Sequence, residues 1–158
     1  MKTAIIMGSD SDFPIMKSAV DLLKEFGVEV EVTVASAHRT PHKVREFVEQ
    51  SDAAVFIAAA GMAAHLAGVI ASYTTKPVIG VPISSEPFKG FDSLLSTVQM
   101  PPGIPVATMA VNGAKNAALF AIEIFAISNQ SIKKKLLDYR EKMASEIEKK
   151  DQAVQEKI

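Results

Sequence analysis

The stretch Thr3-Ala4-Ile5-Ile6-Met7-Gly8-Ser9-Asp10-Ser11-Asp12-Phe13-Pro14 decides the fold class. Its first five residues form a short, largely apolar run with no polar alternation, which predicts a strand buried on both faces. Gly8 to Asp12 breaks the run. Asp12 is then expected to cap a helix whose first turn accepts Pro14. From Phe13 to Phe26, the residues Met16, Ala19, Val20, Leu23 and Phe26 recur at helical spacing, and Gly27 supplies a stop. A buried strand, a short loop and a helix are the opening unit of a parallel sheet.

The same punctuation repeats outward. Val28 to Val34 alternates Val with Glu or Thr and predicts a second strand, and the loop Ser36 to Pro41 leads into a helix ending at Gln50. Ala53 to Ala60 predicts a third strand ended by Gly61, followed by a helix from Ala63 to Tyr73. Pro77 to Val81 predicts a fourth strand closed by Pro82, with a loop to Phe91 and a short helix from Asp92 to Val98. After the turn Pro101-Pro102-Gly103 come a fifth strand, Val106 to Val111, and an Ala-rich helix, Ala114 to Ala126. This alternation predicts an α/β fold: a three-layer doubly wound parallel sheet, flavodoxin-like, over residues 1–128. Residues 129–158 are highly charged, with Ile132, Leu136, Tyr139, Met143 and Ile147 along one stripe. They predict a C-terminal amphipathic helix that packs on the domain or on a neighbouring subunit.

Composition narrows the function. The chain has 158 residues, 48% of them apolar and 22% charged, and a formal net charge of -1. One domain of this size builds its core without staples. The balanced charge argues against nucleic-acid binding. Cysteine is absent and there are three histidines, His38, His42 and His65, so no thiolate chemistry and no metal site are expected. No targeting segment and no apolar run long enough to span a membrane is read, and a cytoplasmic location is expected. The apolar surplus points towards other subunits.

Doubly wound sheets bind ligands beyond the carboxyl ends of their strands, which directs attention to three loops. Gly8 to Asp12 offers backbone N–H groups at a helix start and the hydroxyls of Ser9 and Ser11, a phosphate cradle. Its acids are suited to a sugar diol, or simply to capping the helix. The second loop sets His38 beside Arg39, whose planar guanidinium suits a phosphate; an exposed loop histidine is the plainer reading. Gly61 to Leu66 has small residues that let a ligand approach the backbone. There His65 reads as a helix histidine or as a binding residue, and His42 as an outward one. A phosphoacceptor domain of this topology needs an aspartate where Ala58 to Ala60 stand, and a flavin site needs aromatic walls.

Taken together, the segments Met7-Gly8-Ser9-Asp10-Ser11-Asp12, Ser36-Ala37-His38-Arg39-Thr40-Pro41, Ala63-Ala64-His65-Leu66, Pro77 to Pro82 and Asp92 to Pro101 are similar to those of the bacterial 5-(carboxyamino)imidazole ribonucleotide mutases. These are the class I branch of the phosphoribosylaminoimidazole carboxylase catalytic-subunit family. The resemblance runs from about Thr3 to Ile127. It implies an isomerase of de novo purine synthesis without cofactor or metal, acting on a small ribonucleotide by decarboxylation and recarboxylation. It also implies a homo-octamer with sites at subunit contacts, functionally coupled to a 5-(carboxyamino)imidazole ribonucleotide synthetase. By the same resemblance His38 is the catalytic acid and base, Ser9 and Arg39 hold the phosphate, and Asp12 the ribose. Ser11 and Ser36 line the site, and Gly61, Ala63, Ala64, His65 and Leu66 surround the base and the migrating carboxylate. A second branch, which carboxylates aminoimidazole ribonucleotide directly, carries Lys in place of Arg39 and an Arg-Ser-Asn type segment in place of Ala63-Ala64-His65. Ala59, Met62 and Ala67 depart from the usual pattern, and Met62 adds bulk near the expected carbon dioxide pocket. A nucleotide sensor without chemistry is the non-enzyme alternative, which the pairing of His38 with Arg39 disfavours.

Overall fold

The computed structural model describes residues 1–158. They divide into two compact units, Met1–Ala121 and Ile122–Ile158. The first holds a five-stranded, all-parallel sheet of β1 (Lys2–Met7), β2 (Glu29–Val34), β3 (Val55–Gly61), β4 (Val78–Ile83) and β5 (Ala107–Thr108). Their order is β2-β1-β3-β4-β5, the doubly wound flavodoxin-like order. The helices are α1 (Phe13–Glu25), α2 (Pro41–Gln50), α3 (Leu66–Tyr73), α4 (Phe91–Val98), α5 (Ala114–Ala126) and α6 (Gln130–Gln155).

Strand alternation sorts the core. Ala4 and Ile6 of β1, Phe56 and Ala58 of β3 and Val78 of β4 pack on one face against Val44 and Val48 of α2 and Leu66, Ala67 and Ile70 of α3. Ile5, Met7, Ile57 and Ala59 project from the other face and are equally buried. Helix α1 ends as Gly27 suggests: the Val28 N–H donates to Leu23 O and the Gly27 N–H to Lys24 O, both at 2.9 Å. At the amino edge of the sheet the Lys2 ammonium lies 2.6 Å from Asp52 and 3.3 Å from Glu31.

Four local expectations need correction. Asp12 stands at the N-cap position of α1, but its side chain makes no cap bond to that helix. It closes a 3₁₀ turn, Asp10–Asp12, by accepting the Ser9 N–H at 3.1 Å, while Ser9 Oγ accepts the Ser11 N–H at 3.3 Å. Helix α3 starts at Leu66 rather than Ala63, because the Ala64 and His65 N–H groups close tight turns onto Met62 O and Ala63 O. Pro82 does not close β4 but lies inside it. Gly80 O accepts from Met109 on the β5 side, so Pro82, two residues on, turns its nitrogen to the same side, past β5's last paired residue, Thr108. The predicted fifth strand shrinks to Ala107–Thr108, and the chain beyond it is fastened instead by Asn112 N–H to Pro82 O at 2.8 Å.

The second unit begins in the last turns of α5. Asn129 caps α6 by accepting the Ile132 N–H at 3.0 Å, and Arg140 pairs with Glu123 at 2.5 Å. Ile132 is the buried member of the predicted stripe, whereas Met143 and Ile147 are exposed.

Candidate active site

The carboxyl ends of β1 to β4 open into one cleft of about 620 Å³. Its geometry follows from how each strand hands over to its loop. Gly8 leaves β1 with its N–H on Ala59 O at 2.9 Å, which fixes the first loop against β3. The second loop closes on itself: Ser36 N–H donates to Thr40 Oγ1 at 2.9 Å, Thr40 N–H to Ser36 O at 2.8 Å, and Arg39 N–H to Ser36 Oγ at 3.2 Å. This turn holds His38 and Arg39 outward over the sheet edge. In the third loop, Ala64 N–H donates to Met62 O and His65 N–H to Ala63 O, two tight turns that lift His65 out of α3.

Of the residues singled out in the sequence, Ser9, Ser11, Asp12, Ser36, His38, Arg39, Gly61, Ala63, His65 and Leu66 all line the cleft. Ala64 does not reach it and is 2% exposed. His42 lies exposed on α2 and away from the cleft lining. The Arg39 guanidinium donates to Gly8 O at 2.7 Å and so joins the first two loops. Ser11 Oγ donates to Ser9 Oγ at 2.8 Å, setting two hydroxyls side by side at the cleft wall.

Two features lay outside the sequence reading. His38 Nε2 lies 3.1 Å from His65 Nδ1, with the rings edge-on at 72°. In this contact one ring supplies the N–H and the other accepts it, so the tautomer of each ring is tied to that of its neighbour. The cleft also takes in Ser84 and Ser85 at the end of β4. Ser85 Oγ is buried with no hydrogen-bond partner. The signal for both serines was their place just after a strand, which reading Pro82 as the strand end concealed.

Asp12 is the electrostatically distinctive group. It is 6% exposed, and burial raises its carboxyl above the ordinary aspartate range, while the Ser9 N–H and the Arg39 charge pull the other way. Nowhere are three or more histidine and acidic side chains grouped to hold a metal. No helix is long and apolar enough to cross a membrane.

A cleft at the carboxyl edge that holds hydroxyls, a guanidinium and paired imidazoles suits a phosphorylated substrate that undergoes proton transfer. Comparison with known proteins gives the same direction. The AIR carboxylase family model matches residues 2–146. The chain is 59% identical to the N5-carboxyaminoimidazole ribonucleotide mutase of Methanocaldococcus jannaschii over 152 residues, 96% of each chain. It is 48% identical to the mutase of Thermotoga maritima over 158 residues, 98% of this chain and 92% of that one. The crystal structure of Treponema denticola PurE superposes with a TM-score of 0.87 at 30% identity, covering 96% of both chains. With its fold and its sequence matched over nearly their whole length, the chain belongs to the AIR carboxylase family.

Proposed function

We propose that this chain is a 5-(carboxyamino)imidazole ribonucleotide mutase of de novo purine synthesis. The observation that carries the reading is the His38–His65 pair, 3.1 Å apart in a cleft that also holds Arg39, Ser9 and Asp12. The carboxylate on the exocyclic nitrogen leaves as carbon dioxide, and the nitrogen takes up a proton. The ring carbon then attacks carbon dioxide and gives up its hydrogen. One proton is delivered and one removed, so the reaction is neutral overall. His38 both donates and accepts, with His65 sharing the proton through the ring-to-ring contact. Arg39 and the paired hydroxyls of Ser9 and Ser11 hold the phosphate, and Asp12 the ribose.

Within the family the class I branch is the reading favoured by Arg39 and by Ala63-Ala64-His65. Relatives bearing the mutase name span archaea and bacteria. The deciding experiment compares turnover of the carboxyamino substrate with turnover of aminoimidazole ribonucleotide plus bicarbonate. Preference for the second pair would make the protein a direct carboxylase. A homo-octamer in the cytoplasm, fed by a synthetase that makes the unstable carboxyamino substrate, completes the proposal. The exposed Phe88, Phe91, Leu95 and Val98 around α4, and Leu137, Met143 and Ile147 on α6, support assembly. Sedimentation showing only monomer at micromolar concentration would overturn it.

A further inference from the structure

We propose that Met62 is the cover that keeps carbon dioxide in the cleft between its release from nitrogen and its capture by carbon, a role that rests on the mutase reading above. The backbone supplies the first argument. Met62 sits at φ 55, a left-handed conformation that glycine adopts freely and a residue with a Cβ adopts at a cost. The chain therefore retains a long side chain where its own backbone favours none, and strained positions of this kind concentrate at functional sites.

Position supplies the second argument. The third loop and the strand end before it read Ala59-Ala60-Gly61-Met62-Ala63-Ala64, so Met62 is the one long side chain among them. It lines the cleft together with His38 and His65. Leu66 and Ile83, also on the wall, are buried in the core, whereas Met62 is 63% exposed. Its side chain stands at the rim, with three rotatable bonds and room to move.

The chemistry supplies the third. Carbon dioxide is small, uncharged and nearly apolar, so ion pairs hold it poorly, and apolar cover is what delays its escape. In the mutase reaction the C–N bond breaks with its electron pair left on nitrogen. A C–C bond then forms from the ring carbon to the same carbon dioxide molecule. Nothing is gained or lost unless the gas leaves in between. A methionine thioether adapts its shape to such a cavity, and exclusion of water at this stage prevents the side reaction that would release aminoimidazole ribonucleotide.

The test uses the full chain and Met62→Gly, a change that the backbone at φ 55 accommodates without strain. Each protein converts the carboxyamino substrate in the presence of ¹³C-bicarbonate and carbonic anhydrase. The label in the product carboxylate and the free aminoimidazole ribonucleotide are measured, with enzyme-free decay subtracted. The parent should return mostly unlabelled carboxylate. Met62→Gly should incorporate label and release aminoimidazole ribonucleotide about tenfold more, the factor expected when the cover of one apolar side chain is lost. Met62→Leu, which keeps an apolar cover, should behave like the parent. Equal label in the parent and Met62→Gly overturns the proposal, as does a Met62→Leu that leaks like Met62→Gly. A parent that forms no carboxylated product overturns the activity reading itself, and the proposal with it.

Discussion

Gly90 is where a single methyl group should disturb both the fold and the cleft. It precedes α4 at φ 90 and ψ 0. A Cβ there would lie 2.5 Å from Val111 Cγ1 and 3.2 Å from Ser84 Cα. The first contact is impossible without movement, and Val111 is β-branched and stiff. The second is with backbone, and Ser84 is already fixed by its N–H on Asn112 Oδ1 at 2.9 Å. Gly90→Ala should cost about 1–2 kcal/mol for the left-handed backbone and about 1–3 kcal/mol more for overpacking. Gly103→Ala isolates the first contribution, since Gly103 lies at φ 103 with nothing within 4 Å of a Cβ. Thermal unfolding of both variants at matched chain concentration should separate them by the steric part alone. For a chain of this length that is roughly 2–12 °C, at about 2–4 °C per kcal/mol. Because Ser84 lines the cleft, Gly90→Ala should also raise KM, whereas Gly103→Ala should not. Equal unfolding midpoints for the two variants would refute the reasoning.

His38→Asn should lower kcat by about 10²–10⁴-fold with KM little changed; a variant with normal turnover beside a dead His65→Asn would give the proton to the other ring. Arg39→Lys should raise KM much more than it lowers kcat, because a single ammonium nitrogen lacks the planar fork that can bond Gly8 O with one nitrogen and present others to a phosphate; an unchanged KM would place the phosphate elsewhere. Asp12 has its carboxyl raised in the folded protein, so the native state binds this proton more tightly than the unfolded chain, and stability contributed by the site falls as pH rises through that range. Asp12→Asn should therefore raise the unfolding midpoint at neutral pH, with an advantage that shrinks below the aspartate range, while substrate binding weakens; a midpoint difference independent of pH would remove burial as the cause.

The order of strands and helices was readable because each handover is local: an apolar run, a glycine or proline, then a change of period. The cleft was readable for the same reason, since the three loops follow three strands of one parallel sheet. What escaped the reading depends on partners distant in sequence or on competition within a few residues. Asp12 looked like a helix cap, but its carboxylate is better placed for the Ser9 N–H, and only the three-dimensional turn decides between them. Pro82 looked like a strand end, because its tolerance inside β4 depends on where β5 stops. His65 was read as a helix histidine or a binding residue, but its contact with His38, 27 residues away, was not legible, because it is created by the crossover from β2 to β3. Met62 was noticed for its bulk, but its left-handed backbone is visible only in the folded loop.

The bond from Arg39 to the Gly8 carbonyl spans 31 residues of sequence and joins loops that belong to different strands. Two loops that move independently must each lose freedom when a ligand arrives, and that loss weakens binding. Here the ordering has already taken place during folding, so a ligand would meet a single preformed rim. The guanidinium has five N–H donors, and one bond to Gly8 leaves the others for the ligand. The same side chain is thus a staple in the resting protein and, in the role proposed for it, can be a clamp in the complex, without having to choose between them.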